Sequence, residues 1–142
     1  MVYLAGQMSG LTLEQMSQWR DEATDLLQEN FTVINPVNYY NFEIDPNTYT
    51  NREVKKFDLE AVKRSDIILV NLEYPKSIGT AIEVHMAYDV WDKPVVAYGG
   101  KKEDLHPWLQ DVHPWIQESL TKWCNTLDEA VDYINTFYLT LF

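Results

Sequence analysis

Short apolar runs rich in β-branched residues recur along the chain, at Val2–Ala5, 31–34, 66–72 and 93–98. The run at 66–72 is apolar at successive positions rather than at alternate ones. That pattern is typical of a strand covered on both faces, as the strands of a parallel sheet are. We therefore predict four strands, with a further strand at 120–124.

The segments between these runs repeat apolar residues at helical spacing, which predicts helices at 12–29, 50–64 and 79–91. A last helix is predicted at 126–142. The alternation of strand and helix predicts an α/β fold with right-handed crossovers. We expect a doubly wound, mostly parallel sheet of four to five strands with helices on both faces, as in flavodoxin-like and Rossmann-like proteins.

Single residues indicate where the helices begin and which faces they bury. Thr12 with Gln15, and Thr50 with Glu53, match capping boxes at the first two helix starts. The apolar positions predicted to face the core are Leu13, Met16, Trp19, Ala23, Leu26 and Leu27 in the first helix, Val54, Phe57, Ala61 and Val62 in the second, and Ala81, Ile82, Val84, Met86, Ala87, Val90 and Trp91 in the third.

The third helix carries one acidic residue, Glu83, among apolar neighbours near its start. The helix N-terminus stabilises a negative charge, whereas burial disfavours it. A carboxylate held in that balance suits a poised reactive group. The alternative is that Glu83 caps the helix or pairs with a cation from another helix. The residues alone do not separate these two interpretations.

Two loops are candidates for lining a site. Residues 6–10, Gly-Gln-Met-Ser-Gly, join the first strand to the first helix, where α/β folds build ligand crevices. This loop lacks the full dinucleotide and P-loop glycine patterns, so an ordinary tight turn is the alternative. Residues 37–49 form a long polar segment with the aromatic residues Tyr39, Tyr40, Phe42 and Tyr49. Loops of this length often form pocket walls, and local packing is the alternative.

Composition narrows the class of protein. The 142 residues, 46% of them hydrophobic, predict one globular domain covering 1–142. The formal net charge of −11 argues against a nucleic-acid polymer or an anionic membrane as partner, because like charges repel. Basic residues between Arg52 and Arg64 are interspersed with acids, which is typical of a solvated helix face. The sequence shows no signal peptide or membrane span, so we expect a soluble, cytoplasmic protein.

Cysteine and histidine offer little metal chemistry. Cys124 is the one cysteine, and no zinc-ligand spacing is present. His106 and His113 belong to a near-repeat, Leu-His-Pro-Trp-Leu-Gln-Asp at 105–111 and Val-His-Pro-Trp-Ile-Gln-Glu at 112–118. Each proline suits the first turn of a short helix, with the histidine on the cap side. Acid–base roles for the histidines are conceivable, but we expect the prolines and tryptophans to pack over the sheet edge.

Three groups of residues also occur in the order and spacing of a known family. They are Tyr3-Leu-Ala-Gly6, Asp58-Leu59 ahead of Ser65-Asp66, and Gly79-x-x-x-Glu83-x-x-x-Ala87 before Lys93-Pro94. With them, the chain resembles the nucleoside 2-deoxyribosyltransferase superfamily, which includes the nucleoside 5′-monophosphate N-glycosidases. The resemblance runs from Tyr3 to about Tyr98.

The resemblance implies a role for each matching residue. Glu83 is implied as the nucleophile that attacks C1′ of the sugar. Asp58 is implied as the acid that protonates the leaving base or as a residue that positions sugar and base, and Tyr3 as the residue that orients Glu83. The implied substrate contacts are Gly6, Gln7 and Met8 on the base side, Asn71 at the sugar, and Ser77 and Gly79 in the loop and helix start before Glu83. No metal or organic cofactor is implied.

One position departs from the transferase pattern. Typical transferases carry an aspartate six residues before the nucleophile, whereas this chain has Ser77, with Lys76 beside it. The monophosphate N-glycosidases carry a serine there that contacts the 5′-phosphate. A hydroxyl and an ammonium favour a phosphate, which an aspartate would repel. The loop at 6–10 lacks the arginine of those glycosidases, so the substitution favours them only in part.

These observations leave three hypotheses. The first is a 2′-deoxyribosyltransferase that exchanges purine and pyrimidine bases through a covalent glutamyl–deoxyribose intermediate, with retention at C1′. The second is a nucleoside 5′-monophosphate N-glycosidase, and the third is a nucleotide-binding module without catalysis. The expected partners are nucleosides and free nucleobases, or nucleoside monophosphates. A homo-oligomer with shared sites is expected from the family and from the apolar segment 137–142, with residues 106–115 and the carboxylate of Phe142 as candidates for completing a neighbouring pocket.

Overall fold

The structure is a computed structural model that describes residues 1–40 and 49–141. Two residues named above, Phe42 in the long loop and Phe142 at the carboxyl end, lie outside the described residues. The strands and helices that position the site all fall within the described part of the chain.

One parallel sheet organises the described residues. Its strands are β1 (Val2–Ala5), β2 (Val33–Ile34), β3 (Ile67–Asn71), β4 (Val95–Tyr98) and β5 (Lys122–Cys124). They lie in the order β2-β1-β3-β4-β5, and each adjacent pair is parallel. This is the doubly wound, flavodoxin-like order, so the predicted α/β fold is confirmed, with the fifth strand present.

The helices connect these strands. They are α1 (Leu13–Leu27), α2 (Asn51–Arg64), α3 (Ile78–His85), α4 (Pro114–Gln117) and α5 (Leu127–Tyr133). Short 3₁₀ turns occupy Pro36–Tyr39, Pro107–Leu109 and Leu139–Leu141, and π-helical turns extend α3 over Met86–Val90 and α5 over Ile134–Tyr138. Both predicted capping boxes are present, at Thr12 and at Thr50.

The core lies in two layers, one on each face of the sheet. Alternate strand residues such as Leu4 and Tyr98 pack with α1 and α5, where Trp19, Ala23 and Ala130 are buried. The intervening strand residues point to the other face. The buried residues of this second layer include Tyr3 and Ile68 on the sheet, Val62 on α2, Val84 on α3 and Ala87 in the π-helical turn after α3. Tyr3 therefore points toward the same side of the sheet as α2 and α3.

Several apolar positions predicted to face the core are exposed instead. In α1, Trp19, Ala23 and Leu27 are buried, but Leu13 and Leu26 are exposed. Adjacent residues are separated by about 100° around a helix. When Leu27 faces the core, Leu26 therefore points away from the buried face of the helix. Phe57 in α2, Ile82 in α3 and Val90 in the following π-helical turn are exposed as well. The third helix is therefore open to solvent along one side, contrary to the prediction.

The His-Pro-Trp near-repeat forms two short turns. Nδ1 of His106 accepts a hydrogen bond from the backbone N–H of Trp108, and Nδ1 of His113 accepts one from the N–H of Trp115. The predicted capping is therefore confirmed. The predicted packing of the tryptophans is wrong, because Trp108 is 69% exposed and Trp115 is 77% exposed. Val112, between the two turns, is the residue that enters the core.

The last elements tie the carboxyl-terminal part of the chain to the sheet. β5 pairs with β4, and Cys124 at its end is a buried free thiol. Burial raises the pKa of this thiol. In the turns after α5, Tyr138 is buried whereas Phe137 and Leu141 are exposed. No helix in residues 1–40 and 49–141 is both long enough and apolar enough to span a membrane.

Candidate active site

Glu83 lies in α3 with one carboxylate oxygen buried. The helix begins after Ser77, whose Oγ accepts a hydrogen bond from the backbone N–H of Thr80 at 3.2 Å. Oε2 of Glu83 is buried and has no hydrogen-bond partner among the described residues. Glu83 also forms no ion pair within the described part of the chain. The interpretation as a structural cap or ion pair therefore finds no partner there.

A cavity of about 220 Å³ adjoins Glu83 between α2 and α3. Its polar lining comes from Glu83, Asp58, Lys55 and Asn51, and Gly79 leaves room at the start of α3. The remaining lining residues are Val54, Leu59 and Ile82. Two carboxylates, one ammonium and one amide thus share this space with apolar side chains, which is the usual composition of a small-molecule site.

Tyr3 reaches Glu83 from the sheet. Its side chain is buried on β1 and shares a hydrogen bond with the Glu83 carboxylate. Burial and the neighbouring charge of Glu83 raise the pKa of Tyr3 far above its usual value of 10.0, so the hydroxyl stays protonated and donates. The hydrogen bond fixes the carboxylate from the sheet side while leaving Oε2 without a partner.

The charge state of Glu83 is balanced near neutrality. Burial raises its pKa from 4.5 to about 7, and the charge of Asp58 acts in the same direction. The hydrogen bond from Tyr3 and the positive charge of Arg20 oppose this rise. A carboxyl group with such a pKa is partly ionised at neutral pH, which is a property of reactive groups in enzyme sites.

Asp58 is hydrogen-bonded to an aromatic side chain from the loop after β2. Its Oδ1 accepts a hydrogen bond of 2.7 Å from the hydroxyl of Tyr40. Arg64, at the end of α2, pairs with Glu60 at 3.1 Å. Burial raises the pKa of Asp58, and the hydrogen bond from Tyr40 opposes the rise. Tyr40 thereby joins the beginning of the loop at 37–49 to the site.

Arg20 is a further residue at this site that sequence reasoning missed. Its side chain is completely buried beneath the connection between β1 and α1. Nη2 donates to the carbonyl of Gly6 at 2.9 Å, and Nη1 donates to the carbonyl of Met16 at 2.7 Å. Its position four residues after Met16 and three before Ala23 places it on the inward face of α1. That spacing is the sequence signal that could have identified it.

The β1–α1 loop residues Gly6, Gln7 and Met8 lie outside the lining of the Glu83 cavity. A Cβ on Gly6 would come within 2.8 Å of the Trp19 ring, so this position needs glycine. Nε2 of Gln7 donates to the carbonyl of Ser9 at 2.9 Å, and the carbonyl of Met8 accepts from the N–H of Leu11 at 3.2 Å. Their contact with a base stays a prediction.

Asn71 and Ser77 face other depressions. Oδ1 of Asn71 accepts from the N–H of Glu73 at 2.8 Å, and Asn71 lines a cleft of about 360 Å³ with Tyr98, on the α1–α5 side of the sheet. Ser77 lines a groove of about 1020 Å³ along the solvent-open side of α3. The structure thus brings Glu83, Asp58 and Gly79 around one cavity, with Tyr3 adjacent, and it separates Asn71 and Ser77 from that cavity.

Metal ligands are not grouped in the described residues: no cluster there has three or more His, Cys, Asp or Glu side chains arranged to hold an ion. The prediction that the site uses no metal and no organic cofactor stays a prediction.

The fold and the site together define a class: an α/β protein whose third helix presents a carboxylate to a cavity beside the second helix. The chain belongs to the family described as nucleoside 2-deoxyribosyltransferase-like, whose model matches residues 1–100. The resemblance drawn from the residues at 3–6, 58–66 and 79–94 is therefore confirmed.

Two solved structures share the fold. A conserved protein from Enterococcus faecalis V583 aligns with a TM-score of 0.75 at 19% identity, over 94% of this chain and 96% of that one. A 2-deoxyribosyltransferase from the psychrotolerant bacterium Bacillus psychrosaccharolyticus aligns with a TM-score of 0.65 at 24% identity, over 93% and 90%. Comparison with the sequences of curated proteins gives no significant match.

Proposed function

We propose that this protein transfers 2-deoxyribose from a nucleoside to a free nucleobase, with Glu83 as the nucleophile. The observation that carries the proposal is the buried, unpartnered Oε2 of Glu83 beside a cavity that Asp58 also lines. Membership of the nucleoside 2-deoxyribosyltransferase-like family supports the choice of sugar and leaving group.

In the first step, ionised Glu83 forms a bond to C1′ while the bond from C1′ to the base nitrogen breaks. The electron pair of the broken bond leaves with the base, which takes a proton from the carboxyl group of Asp58. Positive charge develops at C1′ in the transition state, and a carboxylate beneath that carbon stabilises it. The product is an ester between Glu83 and the sugar.

In the second step, a nitrogen of the incoming base attacks C1′ and Glu83 leaves as a carboxylate. The proton lost by the incoming base returns to Asp58, so the site regains its starting state. Each displacement inverts C1′, and two inversions retain the configuration. Water in place of the second base would give hydrolysis instead.

Tyr3 and Asp58 suit these roles. The hydroxyl of Tyr3 donates to the carboxylate that must point at C1′, and so orients the nucleophile. Burial raises the pKa of Asp58 and so favours the protonated form that a general acid needs. The hydrogen bond from Tyr40 then fixes which oxygen of Asp58 is free to face a substrate.

A base-exchange assay tests this proposal. A deoxynucleoside is incubated with a second free base, and the new nucleoside is measured. We expect exchange by the wild type and a loss of about 10³-fold or more in Glu83→Gln, because the nucleophile is removed while the shape is kept. Glu60→Gln is the matched control, since this exposed carboxylate lies on α2 and pairs with Arg64. Equal exchange by wild type and Glu83→Gln would falsify the assignment.

Intact-mass spectrometry tests the covalent ester independently. Incubation with a deoxynucleoside and no acceptor base should add the mass of one deoxyribosyl group to the wild type and to Glu60→Gln. Glu83→Gln should gain no mass, because the amide cannot form the ester. Tight binding of a nucleoside over hours without adduct or exchange would overturn the enzymatic proposal and leave a nucleotide-binding module.

A second candidate, a nucleoside 5′-monophosphate N-glycosidase, is favoured by the charge at the start of α3. The first turn of this helix carries no acidic residue, and Lys76 and Ser77 immediately precede it. A helix N-terminus without acids is a favourable place for a phosphate. Release of free base from a nucleotide, with none from the corresponding nucleoside, would decide for this candidate. Base exchange with nucleoside donors would decide against it.

We also propose that the chain forms homo-oligomers. The groove along α3 is bordered by Trp108 and Trp115, which are among the most exposed large apolar side chains of the described residues. Exposed Phe137 and Leu141 add further apolar surface near the carboxyl end. Large exposed apolar patches commonly mark surfaces of association.

A further inference from the structure

A cleft of about 360 Å³ lies at the carboxyl ends of three neighbouring strands, and the proposed reaction assigns it no role. Its lining includes Asn71, the last residue of β3, Tyr98, the last residue of β4, and Asn125, which follows β5. In open α/β sheets, ligands bind in the crevice outside the carboxyl ends of the strands. No described residue lines both this cleft and the Glu83 cavity, so the two spaces are separate.

The buried part of the lining, the floor of the cleft, contains two polar side chains. Tyr98 and Asn71 are each only 2% exposed. Oδ1 of Asn71 accepts a hydrogen bond from the N–H of Glu73, but its Nδ2 and the hydroxyl of Tyr98 have no partner among the described residues. The fully enclosed side-chain atoms without a partner in that part of the chain are Nε of Arg20 and Oε2 of Glu83. Nδ2 of Asn71 and the hydroxyl of Tyr98 therefore open onto the cleft.

Both of these groups on the floor are hydrogen-bond donors. The NH₂ of an amide can only donate. The hydroxyl of Tyr98 stays protonated, because burial and the charge of Glu73 raise its pKa above the usual 10.0. The ring of Trp19 stands edge-on to that of Tyr98, with the centroids 6.0 Å apart, and so fixes its position. Buried donors are normally paired in folded proteins, so two unpaired donors at the bottom of an open cleft indicate a ligand that brings acceptors.

The rim of the cleft is acidic. Glu22 on α1 and Glu73 after β3 are exposed lining residues, and neither forms an ion pair within the described part of the chain. None of the described residues that line the cleft is a Lys, Arg or His. Two unpaired carboxylates repel an anion, and they accept hydrogen bonds from N–H groups. A fitting ligand therefore carries no negative charge and offers N–H donors to the rim.

We propose that this cleft is a second small-molecule site, which binds an uncharged nitrogen heterocycle with carbonyl acceptors and N–H donors, namely a free pyrimidine base. Its carbonyl oxygen accepts from Nδ2 of Asn71 and from the hydroxyl of Tyr98, and its ring N–H groups donate to Glu22 or Glu73. The volume of the cleft lies near the lower end of the range of ligand pockets, which suits so small a molecule.

The two parts of this proposal have different foundations. The need for carbonyl and N–H groups follows from the floor and the rim of the cleft. The choice of a nucleobase among such heterocycles rests on the proposed function. Asn71 thereby contacts a base in this cleft, on the side of the sheet that faces α1 and α5, rather than the sugar that the resemblance implies.

An NMR titration with uracil tests the proposal, and orotate is the charged counterpart, since it has the same ring with one added carboxylate. The backbone amide signals of Glu73 and Asn125 report on the cleft, and those of Leu59 and Ile82 report on the Glu83 cavity. We expect uracil, but not orotate, to shift the cleft signals of the wild type saturably. Uracil shifts confined to the cavity signals, or equal binding of orotate in the cleft, would overturn the proposal.

Two variants test the donors on the floor. Tyr98→Phe removes one donor and keeps the ring, and Asn71→Asp keeps the acceptor for the N–H of Glu73 but replaces the donor with an acceptor. We expect the dissociation constant for uracil at the cleft to rise about three- to tenfold in Tyr98→Phe and further in Asn71→Asp. Tyr88→Phe, at an exposed tyrosine outside the cleft, is the matched control and should bind like the wild type.

Tyr98→Phe loses no hydrogen bond to a described residue, so it carries the test alone if Asn71→Asp does not fold. An unchanged dissociation constant in Tyr98→Phe means that its hydroxyl does not hold the ligand, and the proposal is then wrong.

The cleft signals also separate this inference from the proposed function. Glu83→Gln should lose base exchange but keep uracil binding in the cleft. Cleft binding by a wild type that exchanges no bases supports the inference and overturns the proposed function. Base exchange without any shift of the cleft signals supports the function and overturns the inference.

Discussion

A buried carboxylate oxygen without a partner, such as Oε2 of Glu83, lowers the stability of the folded chain when the group is ionised. The folded-state pKa of Glu83 is about 7, against 4.5 for the free group. Between these values the folded chain binds a proton that the unfolded chain does not. The contribution of Glu83 to stability is therefore fully present below pH 4.5 and is lost as the pH rises through about 7.

This linkage predicts that Glu83→Gln is more stable than the wild type at pH 8 but not at pH 4, below the unfolded-state pKa of 4.5. The amide never ionises, so the variant avoids a penalty of roughly 1–3 kcal/mol, at about 1.4 kcal/mol for each pKa unit. Thermal unfolding of both proteins at the two pH values measures the difference, and Glu60→Gln serves as the control. A Tm difference that is the same at both pH values would contradict the prediction.

The site residues differ in how readily they can be predicted from the sequence. Glu83, Asp58, Tyr3 and Gly79 belong to short motifs with fixed spacing, so their proximity could be expected. The contact of Tyr40 with Asp58 joins residues 18 positions apart through a loop without periodicity, which no local pattern predicts. Arg20 was missed because a charged residue is normally assigned to the exposed face of a helix.

At the level of the elements, glycines occupy two junctions near the site, one at the end of β1 and one in the first turn of α3. Gly6 ends β1 against the Trp19 ring, and a Cβ there would lie 2.8 Å from that ring. Gly79 lies in the first turn of α3, where the nearest atom to an added Cβ is Oγ of Ser77 at 4.0 Å. The first position is therefore closed to a methyl group, and the second has room for one.

These contacts predict opposite effects for the same substitution. Gly6→Ala should lower stability by about 1–3 kcal/mol, because the core beneath it is overpacked. Gly79→Ala should raise stability by up to about 1 kcal/mol through helix propensity, yet it should slow exchange by placing a methyl group in the Glu83 cavity. Urea unfolding and the exchange assay measure both. Equal stability of the two variants would contradict the conclusion that a methyl group fits at position 79 but not at position 6.

The sequence predicted where the helices and strands lie better than it predicted which helix faces are buried. Capping residues such as Thr12 and Thr50 act locally, so the helix starts were correct. Burial depends instead on which neighbours cover a helix. Ile82 is exposed because it lines the cavity that separates α3 from α2, and Ile78 is exposed because Trp108 and Trp115 line the groove beside α3 without closing it.

For the molecule as a whole, the alternation of strand and helix with right-handed crossovers predicts a doubly wound parallel sheet, and the observed strand order β2-β1-β3-β4-β5 is one of the orders that such a sheet adopts. The sequence therefore predicted the architecture, including the last strand at 120–124. It did not predict the groove of about 1020 Å³, because grooves arise where elements distant in the chain fail to meet.

The exposed groove leads to a prediction about assembly. We expect light scattering at micromolar concentration to give at least twice the monomer mass for the wild type. Trp115→Glu should shift the protein toward the monomer, because it places a charge in the apolar groove. Leu13→Glu, at an exposed apolar site on α1 away from the groove, should leave the mass unchanged. A monomeric wild type would overturn the proposed oligomer.

The single thiol of Cys124 provides a built-in reporter for motion at the edge of the sheet. Because the thiol is buried and its pKa is raised, native protein should react with an aromatic disulfide reagent far more slowly than a free cysteine does. Labelling would then require β5 to detach from β4. The labelling rate would therefore report how often this strand opens under native conditions. If substrate slows the labelling, the edge strand and the pocket open together; if not, they move independently.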